Sequence, residues 1–240
     1  MCTVSFIKTG NNFVFTSNRD EHIARPKAHQ PVVQEKNGIS ILLPQDAHAG
    51  GTWFAMNNLG TICILLNGAY TNYRRKNGYK KSRGLIVMDI ISNPNTMKFL
   101  KTIDLHNIAP FTLVLFYNMQ LFEFRWDGQK LYKKPMSEHH PNIWSSATLF
   151  SFEEQKRKRF LFENSTQKDN PTSPEKLLAL HKTPDKDGGF CIDRPSGHKT
   201  VSLSQAIFST NRIQFLYHDV LQGKHQETRM NLKLPKTTIV

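Results

Sequence analysis

The sequence predicts an α+β fold built on largely antiparallel sheets, and three observations carry that reading. Val4, Phe6, Phe13 and Phe15 alternate with other residues in the two-residue period of half-buried strands. Turn-forming pairs separate several successive strand-like runs by only a few residues, which suits hairpins. Helical and strand-like stretches also fall into blocks instead of alternating regularly.

The first two strands flank Thr9-Gly10-Asn11-Asn12, where Gly-Asn is a two-residue hairpin signal because both residues tolerate positive φ. With Gly10 and Asn11 as the turn, Thr9 faces Asn12, and counting back pairs Cys2 with Arg19. In His22-Ile23-Ala24-Arg25-Pro26 the proline disfavours helix at Arg25, and the polar segment up to Gly38 reads as loop or weak strand. Residues 39–43 form a short strand ending at Pro44. The turn-rich stretch from Gln45 to Gly51 then leads to strands over 52–56 and 61–66, around Asn57-Asn58-Leu59-Gly60. Cys63, inside the second of these, reads as a buried structural thiol.

Residues 85–91 are a mostly apolar run, read as a buried helix, with strand as the alternative because of its β-branched content. Asn93 caps a second helix with Pro94 at its first position and Phe99, Leu100 and Ile103 on one face. Strands over 111–117 and 120–126 are joined by Asn118-Met119, and Asp127-Gly128 turns the chain toward a strand near 130–133. Residues 143–147 give a further strand. Ser151-Phe152-Glu153-Glu154 is a capping box that starts a helix over 152–164, and 174–181 is a short amphipathic helix. Cys191 falls in a short strand, 200–208 and 211–217 close a sheet, and the polar tail from Gln222 supplies an edge strand at most.

A chain of 240 residues is long enough for one well-packed core, so 1–240 is read as a single domain. No apolar run is long enough to span a bilayer and no basic segment leads into an apolar one at the start, which gives a cytoplasmic expectation. Cys2, Cys63 and Cys191 are too widely spaced for a disulfide framework or a CxxC pair. The net charge of +13 gathers in clusters such as Arg74-Arg75-Lys76, Lys80-Lys81 and Lys156-Arg157-Lys158-Arg159. No nucleic-acid module accompanies them and no stacking aromatics are regularly interleaved, so the charge points to small anionic ligands and solvated faces, with nucleic acid disfavoured. Adjacent His139 and His140 project in different directions and have no partners at metal-ligand spacing, so no metal site is expected there.

The chemistry concentrates at the start of the chain. Removal of Met1 would make Cys2 the N-terminus, with thiol and α-amine in one residue. A thiol titrates near ~8.5 and an α-amine near ~7.7–8.0, so the amine can take the thiol's proton and later hand it to a leaving amine. Arg19 would favour the thiolate and Asp20 would orient the amine. The residues alone also allow a second reading, in which Met1 stays, Cys2 packs as a small hydrophobe and Asn18-Arg19-Asp20-Glu21 is a polar turn. Asn67, followed by Gly68 at the end of a strand, suits either an oxyanion donor or a turn residue.

Met1-Cys2-Thr3-Val4-Ser5-Phe6 with Thr16-Ser17-Asn18-Arg19-Asp20-Glu21 resembles the NRDE family, also called the transport and Golgi organisation family, in its bacterial-type branch. Further matches are Arg25-Pro26, Ala49-Gly50-Gly51-Thr52-Trp53, Leu65-Leu66-Asn67-Gly68-Ala69, Ser82-Arg83-Gly84 and Ile143-Trp144-Ser145-Ser146-Ala147, in family order along the chain. That family is similar to N-terminal nucleophile hydrolases. The resemblance implies a four-layer αββα sandwich and an amidohydrolase acting on non-peptide C–N bonds. Cys2 would be nucleophile and base, Arg19 and Asp20 its organisers, and Asn67 an oxyanion donor. It also implies an alternative, a non-catalytic haem or small-ligand trafficking protein with haem held transiently by His48, His139 or Cys2. Two positions depart from the pattern: Ser146 stands where an asparagine is expected, and the stretch from Lys199 to Ser204 has no arginine, Arg212 coming later.

Overall fold

The alternation at the chain start becomes a pair of long strands, β1 (Cys2–Thr9) and β2 (Asn12–His22), and the hairpin register is Thr9 opposite Asn12 and Cys2 opposite Arg19. The computed structural model describes residues 2–74, 76, 78–166 and 172–233. A meander follows: β3 (His29–Lys36), β4 (Ile39–Gln45), β5 (Phe54–Asn57), β6 (Ile62–Asn67), β7 (Phe111–Tyr117), β8 (Gln120–Trp126) and β9 (Leu131–Met136). These seven strands form one sheet in chain order, every neighbouring pair antiparallel. The other sheet has the order β10-β1-β2-β11-β12-β13, with β10 at Asn142–Ser145, β11 at His198–Phe208, β12 at Arg212–Asp219 and β13 at Lys224–Asn231.

Three apolar clusters mark three interfaces between four layers. Val4, Phe6, Phe13 and Phe15 of the first hairpin meet Phe54, Met56, Ile64 and Phe116 between the sheets, with Phe13 and Phe116 ring centres 4.9 Å apart. Helices α1 (Arg83–Ile91) and α2 (Thr96–Thr102) cover the outer face of the seven-stranded sheet through Val87, Ile90 and Leu100. On the outer side of the six-stranded sheet, α3 (Phe152–Ser165) and α4 (Pro174–Lys182) bury Phe162 and Leu177 against Ile7, Val14 and Ile143. Successive buried residues on β1 and β2, such as Phe6 and Ile7 or Phe13 and Val14, thus serve two different layers, which is how both faces of the sheet are covered. The result is the αββα sandwich.

The capping box is formed at both ends: Ser151 Oγ accepts from the Glu154 N–H and the Glu154 carboxylate accepts from the Ser151 N–H. Ser173 caps α4 in front of Pro174. The second helix starts later than Asn93 predicts. Asn93 Oδ1 accepts from the Asn95 N–H in a local turn, so Pro94 stays in that turn and Asn95 becomes the N-cap. The polar segment before Gly38 is an edge strand, β3, whose pairing with β4 shifts register between His29 and Val32 and which exposes Val32 and Val33. Cys191 makes only an isolated bridge to Pro184, and β10 ends at Ser145, releasing Ser146 and Ala147 from the ladder. Cys63 lies buried in β6, its thiol pushed up by burial.

Candidate functional site

Residues directly opposite on paired strands share a face, so the hairpin register puts the side chains of Cys2 and Arg19 together on the inner side of the sheet. Arg19 is held in place there. Its guanidinium lies 4.3 Å from the centre of the Trp53 ring, and its Nη2 donates to Asp46 Oδ2 at 2.5 Å. Arg25 grips the same carboxylate from the other side, Nε to Oδ2 and Nη2 to Oδ1, both at 2.9 Å, and the Ala49 N–H donates to Oδ1. Burial works to raise the Asp46 carboxyl, but these donors outweigh it and hold it below the usual range. Asp46 therefore fixes Arg19 beside the thiol. In the sequence it looks like one more turn residue, and no local signal marks it.

Cys2, Arg19, Asp46, His48, Trp53 and Asn67 line one cavity of about 650 Å³. Its outer wall comes from the segment leading into α1, where Arg83 Nη1 donates to the Tyr73 hydroxyl and the Pro110 carbonyl. Gly51 and Gly84 make this wall possible: a Cβ on Gly51 would stand 2.4 Å from the Gly84 carbonyl carbon, so the two backbones touch where the loop passes the start of α1. Asn67 ends β6 in the opposite sheet and reaches the same cavity as Cys2. Ser146 links the two sheets. Its N–H donates to the Cys2 carbonyl at 2.9 Å, and its hydroxyl donates to the Asn67 carbonyl at 2.8 Å.

The carboxylates of Asp20 and Glu21 part company, because successive strand residues point to opposite faces. Glu21 lines the cavity with Cys2. Asp20 is not among the lining residues; its Oδ1 accepts from Thr200 Oγ1 at 2.6 Å, opposite it on β11, and its Oδ2 is buried without a partner among the described residues. Burial raises the Asp20 carboxyl to about 6, against the pull of the Thr200 hydroxyl and of Lys158 on α3. Burial also pushes the Cys2 thiol up, with Asp20 adding to that and Arg19 opposing it.

Residues 1–190 match the Transport and Golgi organisation 2 family. The chain belongs to that family. No curated protein matches the sequence. Among solved structures it is similar to a variant of conjugated bile acid hydrolase from Clostridium perfringens, with TM-score 0.55, 10% identity and 100% of both chains covered. It is also similar to the Caenorhabditis elegans ortholog of N-acylethanolamine-hydrolyzing acid amidase, with TM-score 0.59, 9% identity, 85% of this chain and 92% of that chain covered. At such identities the likeness is one of fold, the N-terminal nucleophile hydrolase sandwich.

For this Transport and Golgi organisation 2 member, the structure brings Cys2, Arg19 and Asn67 to one cavity and leaves Asp20 on the other side of the sheet. Met1, on whose removal the expected N-terminal cysteine depends, lies outside the described residues. Arg212 sits exposed at the start of β12, while Arg194 donates to the Leu149 carbonyl and pairs with Glu154. His48 lines the cavity, whereas His139 stands in the β9–β10 connection beside Glu138. Among the described residues no group of three or more His, Cys, Asp or Glu side chains is arranged to hold a metal, and no helix is long and apolar enough to cross a membrane.

The Asp20 carboxyl yields a stability prediction with a definite sign. Its folded value of about 6 exceeds the ordinary 3.8, so its favourable contribution is complete below 3.8 and is lost as pH rises through about 6. Asp20→Asn keeps an acceptor for Thr200 and does not titrate. It is expected to stabilise the protein by on the order of 2 kcal/mol above pH 7, the gain vanishing near pH 4. Urea unfolding at the two pH values checks this; an equal effect at both would show that Asp20 ionises normally.

Proposed function

We propose that this protein is an N-terminal-cysteine hydrolase acting on non-peptide C–N amide bonds of small molecules. The observation that carries the reading is the shared cavity, into which one sheet brings Cys2 with Arg19 and the other brings Asn67. After Met1 is removed, the Cys2 sulfur attacks the amide carbonyl carbon and its proton passes to the Cys2 α-amine. The carbonyl oxygen becomes an oxyanion that the Asn67 amide serves. The C–N bond then breaks, the ammonium returns its proton to the departing nitrogen, and a thioester remains on Cys2. Water attacks the thioester, the acid leaves, and the thiol is restored. Arg19 favours the thiolate and Asp46 keeps the guanidinium in position, while Asp20, bonded to Thr200 across the sheet, acts on the amine through its charge alone.

The solved relatives support the reaction class by name, being a conjugated bile acid hydrolase and an N-acylethanolamine-hydrolyzing acid amidase. The substrate's remote end is proposed to be anionic, since among the described residues five Lys or Arg side chains line the cavity against two carboxylates, Glu21 and Asp46. The same charged lining supports a polar amide over a haem. Cys2 and His48 share the cavity, but an extended apolar macrocycle would have to cover the Arg19–Asp46–Arg25 cluster.

Brief treatment with a limiting dose of a thiol alkylator near neutral pH, followed by intact mass and peptide mapping, tests the proposal. Met1 is expected to be absent, and Cys2 to be labelled well before Cys63 and Cys191. Retention of Met1, or labelling of Cys2 no faster than the others, would remove the mechanism. Once a substrate amide is found, Asn67→Ala is expected to slow turnover by about a few-hundred-fold, the usual effect of losing one oxyanion donor.

A further inference from the structure

A second cavity, of about 350 Å³, is lined by Tyr70, Glu123, Arg125, Tyr132, Lys133 and Lys134, none of which borders the Cys2 cavity. Its floor is charged and fixed. Glu123 Oε2 accepts from Arg125 Nη2 at 2.9 Å and from Trp144 Nε1 at 2.8 Å. Arg125 also donates to the Ala69 carbonyl, and its buried Nε has no partner among the described residues. Its walls are aromatic and open to solvent. Tyr70 is 56% exposed and Tyr132 40%, far more than packed aromatic side chains need to be, and their rings stand edge to face at 5.9 Å. The Arg125 guanidinium lies 5.0 Å from the Tyr70 ring centre.

The charge at this notch has a sign. Glu123 is already neutralised by Arg125, and burial of its carboxyl is outweighed by Arg125, Trp144 and Lys134, which hold it below the usual range. Lys134 remains for a ligand's charge, since the Lys133 ammonium lies over the Phe122 ring at 4.6 Å and Lys130 over the Tyr132 ring at 5.3 Å. The cavity has the size of a single-ring ligand site, with exposed rings for aromatic contact and the Lys134 ammonium for a negative charge.

We propose that this notch, at the β8–β9 edge and separate from the Cys2 cavity, binds a small planar aromatic carboxylate against the exposed Tyr70–Tyr132 pair, with its charge on Lys134. The site stands whether or not Cys2 is a nucleophile. Two tryptophans report the two cavities separately: Trp144 is bonded to Glu123 on the floor of the notch, and Trp53 lines the Cys2 cavity.

The test is a titration of the uniformly ¹⁵N-labelled full chain with sodium benzoate, followed through the indole N–H resonances. Benzoate is expected to shift the Trp144 signal saturably and leave Trp53 in place, while benzylamine, of like shape and opposite charge, shifts neither. Tyr70→Ala and Lys134→Ala are each expected to weaken benzoate binding about tenfold, with the free-state spectrum otherwise preserved. Four results would overturn the proposal: a Trp144 signal that does not move or does not saturate; an equal response to benzylamine; undiminished affinity in both variants; or a shift at Trp53 alone, which would place the ligand in the Cys2 cavity.

Discussion

Cys2→Ala is expected to abolish amide hydrolysis, by about five orders of magnitude or more, while the protein stays folded. Removing a nucleophile costs the covalent route itself, and groups that act as one unit fail together when any one is lost. Structurally the change is small. Cys2 is 1% exposed and borders the inter-sheet core at the mouth of the cavity, so trimming its sulfur removes one packed atom from the end of a strand whose ladder to Arg19 is made by backbone. The lost packing is worth about 1 kcal/mol. The two readouts therefore separate: turnover measured as amine release should vanish, and the urea midpoint should hardly move. Cys2→Ser keeps the shape and tests the sulfur, since a hydroxyl beside an α-amine is the weaker nucleophile at neutral pH. Residual activity close to that of the unaltered protein in Cys2→Ala would mean that Cys2 is a packing residue.

The half of this site that is local in sequence was legible. Gly10 and Asn11 set the turn, the turn set the register, and the register set Cys2 opposite Arg19 without any tertiary knowledge. The same two-residue period places Asp20 and Cys2 on opposite faces and Glu21 beside Arg19. Asp46 was out of reach, because its role depends on Arg25 and Arg19 meeting it across a loop. The start of α2 was misplaced for a different reason. Asn93 and Pro94 satisfy the rules for a cap and a first position, yet an asparagine can also close a turn on its own backbone, and here it does. Ser146 shows the converse. The missing amide donor looked like a defect, but its hydroxyl and N–H bind the Asn67 and Cys2 carbonyls and so join the two sheets at the cavity.

The second large effect is expected away from the cavity, where His181→Ala should destabilise the fold by about 3–5 kcal/mol near pH 7.5. His181 on α4 is fully buried, with Nε2 at 2.6 Å from Ser5 Oγ and Nδ1 bonded to Asn18 Oδ1. Asn18 completes the link by donating to the His181 and Phe190 carbonyls. Removing the ring leaves a cavity under α4 and strands two buried polar partners at once. Burial, with Lys158 adding to it, lowers the histidine to about 3, against an ordinary 6.5. A depressed value means that the stabilising contribution is complete above 6.5 and is lost as pH falls toward 3, because the unfolded chain takes up a proton that the folded one refuses. The destabilisation by His181→Ala should therefore shrink as pH falls to about 4, where the unaltered protein has already lost most of the same contribution. Asp20 works in the opposite sense on the same face of the sheet, gaining stability as pH falls from about 6 to 3.8, so the two groups offset one another in the unaltered protein. Asp20→Asn removes that offset and should make acid unfolding steeper, which urea midpoints between pH 4 and 7.5 would show. A pH-independent cost for His181→Ala would mean that the ring is solvated and titrates freely, and the Ser5–His181–Asn18 chain would then not hold α4 to the sheet.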